Sequence, residues 1–199
     1  MTSEPDNPKP RRRFRQFSLR TLLLALTAVC VWLGWTVPRA NEQGKAVEWV
    51  RKMGGTVWYD YEVDEDGDAI NAIDAAEPPG PKWLRDSLGV DYFQNVSAVY
   101  LVSKPVSDLT PLAGLNNLQY LELSITEVCD VTALAGFTKL RWLHLNHTQV
   151  SDLTPLAGLN KLRFLDLDNT PVGEEQVEKL RRALPNCEII WSPPADRSP

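Results

Sequence analysis

Residues 106–116 read VSDLTPLAGLN, and residues 150–160 repeat the same string. Residues 128–137, VCDVTALAGF, lie midway between these copies, so the chain repeats itself with a period of 22 residues. Each period places apolar residues at the same positions. These positions are Val106, Leu109, Leu112, Leu115, Leu118, Leu121 and Leu123; Val128, Val131, Leu134, Phe137, Leu140, Leu143 and Leu145; and Val150, Leu153, Leu156, Leu159, Leu162, Leu165 and Leu167.

Each period contains a segment of the form LxxLxL, which predicts a short strand. Because alternate strand residues point to opposite faces, Leu121 and Leu123 are expected inside and Tyr120 and Glu122 outside. One turn cannot bury its own apolar face, so the turns must stack and their strands form a parallel sheet. The Thr-Pro pairs at 110–111 and 154–155 predict a threonine cap followed by a short helical turn.

The same register extends beyond the three full repeats. A step of 22 residues backwards predicts a first strand with Val96, Val99 and Leu101 inside, and a step forwards predicts a last strand with Leu184, Cys187 and Ile189 inside. Five rungs result, over residues 96–191. In the last crossover Val177, Leu180 and Leu184 recur at helical spacing, so residues 174–183 are predicted to form a terminal helix that shields the end of the stack.

Residues 106–171 resemble the short, internalin-like class of bacterial leucine-rich repeats, in which the repeat is similar to LxxLxLxxNxIxDLxPLxxL. This chain departs from that pattern by placing Thr126, Thr148 and Thr170 at the asparagine position, where a hydroxyl can still bond the loop backbone. The resemblance implies an α/β leucine-rich-repeat solenoid with a parallel sheet of about five strands. It also implies a protein that acts by interaction and is not an enzyme.

The charge is distributed unevenly along the chain. Residues 1–20 carry a net charge of +4 and the remainder −9, which argues against a nucleic-acid partner for the folded part. Residues 21–38 begin with a charge-free apolar run of about 25 Å as a helix, so we expect a single transmembrane anchor. The arginines that precede it place the basic tail, residues 1–20, in the cytoplasm, and the repeats then lie outside the plasma (inner) membrane. A cleaved signal peptide is the alternative, although no A-x-A motif precedes Arg39.

Residues 39–77 are predicted to form a small α+β element. Its helix spans residues 40–53, and Val57, Tyr59, Tyr61 and Val63 alternate as in a strand, which the Asp66-Gly67 turn would pair with residues 70–72. Residues 78–95 are expected to form a proline-rich connector with a short helix at 82–88 that caps the first strand of the repeats. Residues 192–199 are expected to be a disordered tail.

The candidate site is the outward face of the repeat sheet, where residues 22 apart become neighbours. One predicted column holds Ala98, Tyr120, Trp142, Phe164 and Asn186, and the next holds Tyr100, Glu122, His144, Asp166 and Glu188. The predicted binding residues are Tyr100, Tyr120, Glu122, Trp142, His144, Phe164, Asp166 and Glu188, because aromatic side chains supply contact energy and charges set register. In the alternative, the stacked rings only stiffen the sheet.

Other chemistry finds little support in the sequence. Glu122, His144 and Asp166 could hold a metal, but adjacent parallel strands splay their side chains and favour a solvated ion-pair row. Residues 60–77 are acidic, yet Ile73 stands where a calcium loop needs a bidentate glutamate. No catalytic motif and no cofactor-binding motif is present.

These patterns predict a membrane-tethered, extracytoplasmic module that binds an unidentified protein or peptide through the concave sheet. The alternative is a structural or assembly role at the membrane, with no ligand on the sheet.

Overall fold

The computed structural model describes residues 19–62, Trp83 and residues 94–192, and within residues 19–37 it describes only some of the side chains. The described strands form one six-stranded sheet in chain order. The first pairs antiparallel with the second, and all later pairs are parallel. The strands are β1 (Thr56–Tyr59), β2 (Val96–Tyr100), β3 (Tyr120–Glu122), β4 (Trp142–His144), β5 (Phe164–Asp166) and β6 (Glu188–Ile190).

The predicted interior is confirmed. Every apolar position of the three repeats is at most 2% exposed, and Val96, Val99 and Leu101 of the preceding turn are completely buried. Leu121 pairs with Leu143 and Leu143 with Leu165, so residues 22 apart lie on adjacent strands. The parallel sheet of a leucine-rich-repeat solenoid is therefore present in β2 to β6.

A 3₁₀ turn crosses the back of each full repeat, at Thr110–Gly114, Thr132–Gly136 and Thr154–Gly158. The predicted threonine caps are wrong, because each threonine lies inside its turn and donates a hydrogen bond. The acceptor is the aspartate two residues earlier: Asp108, Asp130 and Asp152 accept the threonine N–H at 2.7–2.9 Å. The threonine hydroxyl, followed by its amide, holds the pKa of each aspartate below its ordinary value of 3.8.

The loop after each strand is closed by the threonine that replaces the family's asparagine. The hydroxyls of Thr126, Thr148 and Thr170 donate to the carbonyls of Leu123, Leu145 and Leu167 at 2.6–2.7 Å, as the sequence predicts. The residue before each threonine has a positive φ, 57° at Ile125, 58° at His147 and 54° at Asn169. A β-branched side chain fits this left-handed conformation worst, so Ile125 carries backbone strain.

Helix α1 spans Leu19–Lys52. Its C-terminal part, residues 40–52, and strand β1 close the N-terminal end of the solenoid. Within the described residues, the end of α1 and β1 share the repeat core through Ala46, Val47, Val50 and Tyr59. The remainder of the α+β element predicted at 39–77 lies outside the described part of the chain. The side chain of Gln43 holds the helix to the chain just before β2, donating to the carbonyl of Gln94 at 2.8 Å and accepting the N–H of Val96 at 3.3 Å.

The anchor predicted at residues 21–38 and the helix predicted at residues 40–53 are parts of one helix, since α1 continues through Pro38. Proline removes one backbone donor, and burial of Ala40, Ala46, Val47 and Val50 favours helix on its far side. Strand β1 is also shorter than predicted, because Asp60–Glu62 form a turn, and its partner is β2. The predicted second hairpin strand, the connector helix apart from Trp83, the calcium candidate beyond Glu62 and residues 193–199 lie outside the described part of the chain.

Helix α2 (Glu174–Ala183) is confirmed at the predicted bounds, with Val177 and Leu180 buried. Its Gln176 side chain accepts the N–H of Leu153 at 3.0 Å, which fastens the helix to the last 3₁₀ turn. The predicted register of the last strand is wrong: Leu165 pairs with Ile189, a step of 24 residues. An α-helical crossover of this length needs more residues than a 3₁₀ turn, and β6 is displaced by two.

The described residues fall into two compact units, which divide between Thr36 and Val37. In the first, α1 exposes Leu23, Leu24, Leu26 and Val31, each more than half accessible. A search of the described residues finds no helix with the combined length and apolarity of a membrane span.

Replacing Ile125 by asparagine is expected to stabilise the protein by about 1 kcal/mol, because asparagine tolerates a positive φ. The matched control is Val102→Asn. Val102 is also an exposed apolar loop residue, 41% accessible against 55% for Ile125, but its φ is not positive. Urea unfolding followed by circular dichroism measures both variants, and equal shifts in the two would contradict the strain at Ile125.

The three capping aspartates are expected to make stability depend on pH in the acid range. Their lowered native pKa values mean that the contribution is fully present above pH 3.8 and is lost as the pH falls through the native pKa. The triple variant Asp108→Asn, Asp130→Asn, Asp152→Asn should therefore lose less unfolding temperature between pH 7 and acid pH than the parent. Glu48→Gln, which removes an exposed carboxylate of α1 outside the repeats, is the control. A reduction of the pH dependence in this control as large as in the triple variant would contradict the assignment to the three aspartates.

Candidate functional site

The outward face of β2 to β5 carries the two predicted columns side by side. Tyr120, Trp142 and Phe164 are in register in one column, and Tyr100, Glu122, His144 and Asp166 in the other. All of them are half-buried. We call this surface, formed by these seven residues, the concave face.

The last strand departs from the predicted columns. Glu188 pairs with Phe164, so it lies in the aromatic column and not beside Asp166 as predicted. The place beside Asp166 is taken by Ile190, which is 39% exposed, and Asn186 precedes the strand. The shift of β6 by two residues explains all three changes.

The first strand extends the columns beyond the predicted set. Trp58 of β1 pairs with Ala98, and Thr56 pairs with Tyr100. Ala98 is fully buried between the strands that carry Trp58 and Tyr120. The alternation of Val57 and Tyr59 already placed Trp58 on the opposite side of its strand, but only the pairing with β2 puts it on this face.

The rings pair diagonally between the columns and not down one of them. Tyr100 stacks on Tyr120 with ring centroids 5.0 Å apart, Tyr120 meets His144 at 5.4 Å, and His144 meets Phe164 at 5.1 Å. These separations are typical of favourable aromatic contacts. The result is a zigzag of four rings across four strands, whose side chains have little rotamer freedom left to lose on binding.

Glu122 anchors the second column. Its carboxylate accepts the Ser124 N–H at 3.0 Å and the Tyr120 hydroxyl at 3.4 Å, and the Ser124 hydroxyl also contacts it. The imidazole of His144 lies 3.7 Å away. Glu122 therefore holds its own loop and orients two of the four rings.

Asp166 turns to its own loop and accepts the N–H of Asp168 at 3.0 Å. The hypothesis of a metal bound by Glu122, His144 and Asp166 gains no support, since the described residues contain no group of three ligands placed to hold an ion.

One edge of the concave face is basic. The Arg141 guanidinium lies 5.9 Å from the centre of the Trp142 ring. Arg163 stands at the equivalent position just before β5, and its backbone N–H donates to the Arg141 carbonyl at 2.8 Å. Two residues before each arginine stand Lys139 and Lys161. We call Lys139, Arg141, Lys161 and Arg163 the basic edge. The sequence-predicted site missed it, although the 22-residue spacing of these cations was visible.

Residues 138–182 match the family model described as leucine-rich repeats in two copies. The chain thus carries leucine-rich repeats, and repeats of this kind generally mediate protein–protein interaction and are typically without enzymatic activity. A comparison with curated protein sequences finds no match.

Solved structures similar to this chain include bacterial leucine-rich-repeat proteins. Internalin C2 of Listeria monocytogenes is 40% identical over 42% of this chain and 36% of its own, with a TM-score of 0.39. A leucine-rich-repeat protein of Leptospira interrogans is 28% identical over 47% of this chain and 25% of its own, with a TM-score of 0.45. This chain therefore matches only about a third of internalin C2 and a quarter of the Leptospira protein.

A plant protein is also among the similar structures. The ectodomain of the receptor kinase GASSHO1/SCHENGEN3 of Arabidopsis thaliana, in complex with CASPARIAN STRIP INTEGRITY FACTOR 2, is 18% identical over 74% of this chain and 18% of its own. Its TM-score is 0.43.

Proposed function

We propose that the protein is a membrane-tethered interaction module whose concave face binds a protein or peptide outside the cytoplasm. The observation that carries this proposal is the zigzag of Tyr100, Tyr120, His144 and Phe164, whose rings contact one another at 5.0–5.4 Å on a half-buried surface. Aromatic groups that are already held in place offer contact area at low entropic cost, which is the property of binding hot spots.

Site-specific crosslinking in the native membrane tests the binding role. A photoreactive amino acid at Trp142 is expected to form a defined adduct, whereas the same group at Ala135, exposed on the 3₁₀ turn at the back of the same repeat, is not. Replacing Tyr120 and Phe164 by serine should abolish the adduct while circular dichroism shows the fold retained, because the inward leucines are untouched. An undiminished adduct in that variant would mean that Tyr120 and Phe164 do not carry the binding. Absence of any adduct from Trp142 would mean that the face binds nothing and would favour the assembly role.

The membrane tether is supported by the charge-free apolar run at 21–37 and by the exposed Leu23, Leu24, Leu26 and Val31. The basic tail, residues 1–20, favours an N-terminus in the cytoplasm, and the repeats then face outward from the plasma (inner) membrane. Tethering would also raise the effective concentration of a small binding face near a membrane-bound partner.

Thiol labelling tests this topology without a fusion protein. Cys129 is exposed on the repeats, whereas burial, followed by the charge of Glu188, raises the pKa of Cys187 to about 11 and leaves it poorly reactive. A membrane-impermeant maleimide is expected to label Cys129 in intact cells, and Cys129→Ser should remove most of that label. Labelling of Cys129 only after permeabilisation would overturn the outward orientation.

A further inference from the structure

The charged side chains of the concave face and of the basic edge differ in whether they already form hydrogen bonds or ion pairs within the protein. On the acidic side, Glu122 accepts hydrogen bonds from Tyr120 and Ser124, and Asp166 accepts the N–H of Asp168. Asp168 in turn accepts the Ser192 hydroxyl at 2.9 Å. These carboxylates hold loops of the solenoid together, and their charge is partly satisfied within the chain.

The basic edge is engaged differently. Lys139 contacts the neutral amide of Asn117, and within the described residues neither Lys161 nor Arg163 takes part in an ion pair or a side-chain hydrogen bond. Both side chains are exposed. Glu188 continues the aromatic column beside Arg163, yet the described ion pairs do not join them. Two exposed cations, Lys161 and Arg163, thus stand against one exposed carboxylate, Glu188, so the excess charge that the described ion pairs leave at this edge is positive.

This local excess of positive charge is opposite in sign to the net charge of residues 21–199, which is −9. An acidic partner would be repelled from most of the surface and attracted at one edge, which fixes both its position and its orientation. Trp142 and Phe164 lie directly beside the arginines in sequence, so apolar and anionic groups of one extended segment could be bound together.

We propose that the partner of the concave face presents an acidic peptide segment, with apolar side chains on Trp142 and Phe164 and carboxylates on the basic edge. This inference rests on the proposed function. It adds the charge of the bound segment and which of its side chains face the rings and which face the basic edge. Binding should weaken as salt rises, since the pairing is solvent-exposed and screened over about 8 Å at physiological ionic strength.

Fluorescence anisotropy with defined peptides tests the proposal on the full-length protein in neutral lipid nanodiscs. The probe is a labelled peptide of alternating aspartate and leucine, and the matched probes replace aspartate by asparagine or by lysine. The aspartate peptide is expected to bind about tenfold more tightly than the asparagine peptide, and the lysine peptide more weakly than either. Equal affinities for the aspartate and asparagine peptides would overturn the proposal.

The matched variants change net charge equally at two places. Lys161→Glu with Arg163→Glu should weaken the aspartate peptide about tenfold or more and favour the lysine peptide. Lys45→Glu with Arg182→Glu, on exposed positions of α1 and α2, should leave both affinities within about twofold. A similar loss in the two variants would mean that net charge alone acts, and would overturn the assignment of the basic edge.

Two further outcomes distinguish an acidic peptide from other anionic ligands, and distinguish failure of this proposal from failure of the proposed function. If phosphatidylglycerol vesicles or a single-stranded oligonucleotide bind in place of the aspartate peptide, and Lys161→Glu with Arg163→Glu abolishes that binding, the peptide assignment is wrong. If no acidic probe binds, yet the serine variants still lose the crosslinked adduct at Trp142, the proposed function stands and the acidic partner is rejected. Loss of both signals would reject both.

Discussion

The structure depends on the burial of leucines that recur every 22 residues and so fix the register between neighbouring strands. Leu121, Leu143 and Leu165 lie in one fully buried row, and the backbone between the turns follows them. The N–H of Leu123 donates to the His144 carbonyl at 3.0 Å, and that of Leu145 to Asp166 at 2.9 Å. A slip by one residue would turn these leucines outward, so the order of the outer face is a consequence of the inner one.

A stack of repeats must also be closed at both ends, and the two closures shape the face differently. At the N-terminal end β1 pairs antiparallel with β2, which adds Trp58 to the aromatic column, and the C-terminal part of α1 covers the core. At the C-terminal end a full α-helix replaces the 3₁₀ turn and displaces β6 by two residues. Glu188 and Ile190 thereby end the two columns, so the ends of the solenoid decide which chemistry borders the central rings.

The sequence predicts the parts of this fold that are governed by period alone: the inward positions, the parallel pairing, α2 and the seven residues of the concave face on β2 to β5. It fails where the outcome depends on competition between contacts. The sequence assigns residues 21–38 and 40–53 to separate elements, because the burial of the helix beyond Pro38 cannot be read from it. Asp108, and not the predicted Thr110, accepts the hydrogen bond at the start of the 3₁₀ turn, because only geometry distinguishes the donor from the acceptor. The diagonal pairing of the rings likewise depends on the direction in which each side chain tilts along its strand, which the 22-residue spacing of the sequence does not determine.

The difference between what the repeat period predicts and what depends on contacts in the folded chain also bears on the proposed function of the concave face. The sequence pattern predicts Glu122 and Asp166 as charges that a partner can bind. In the structure both carboxylates accept hydrogen bonds from their own loops. Lys161 and Arg163, which look like ordinary surface cations, have no such engagement within the described residues. A group that already stabilises the fold has less to gain from a partner than one that does not. The proposed recognition at this surface therefore depends on the charges that the solenoid leaves without an internal partner, next to rings that it has already ordered.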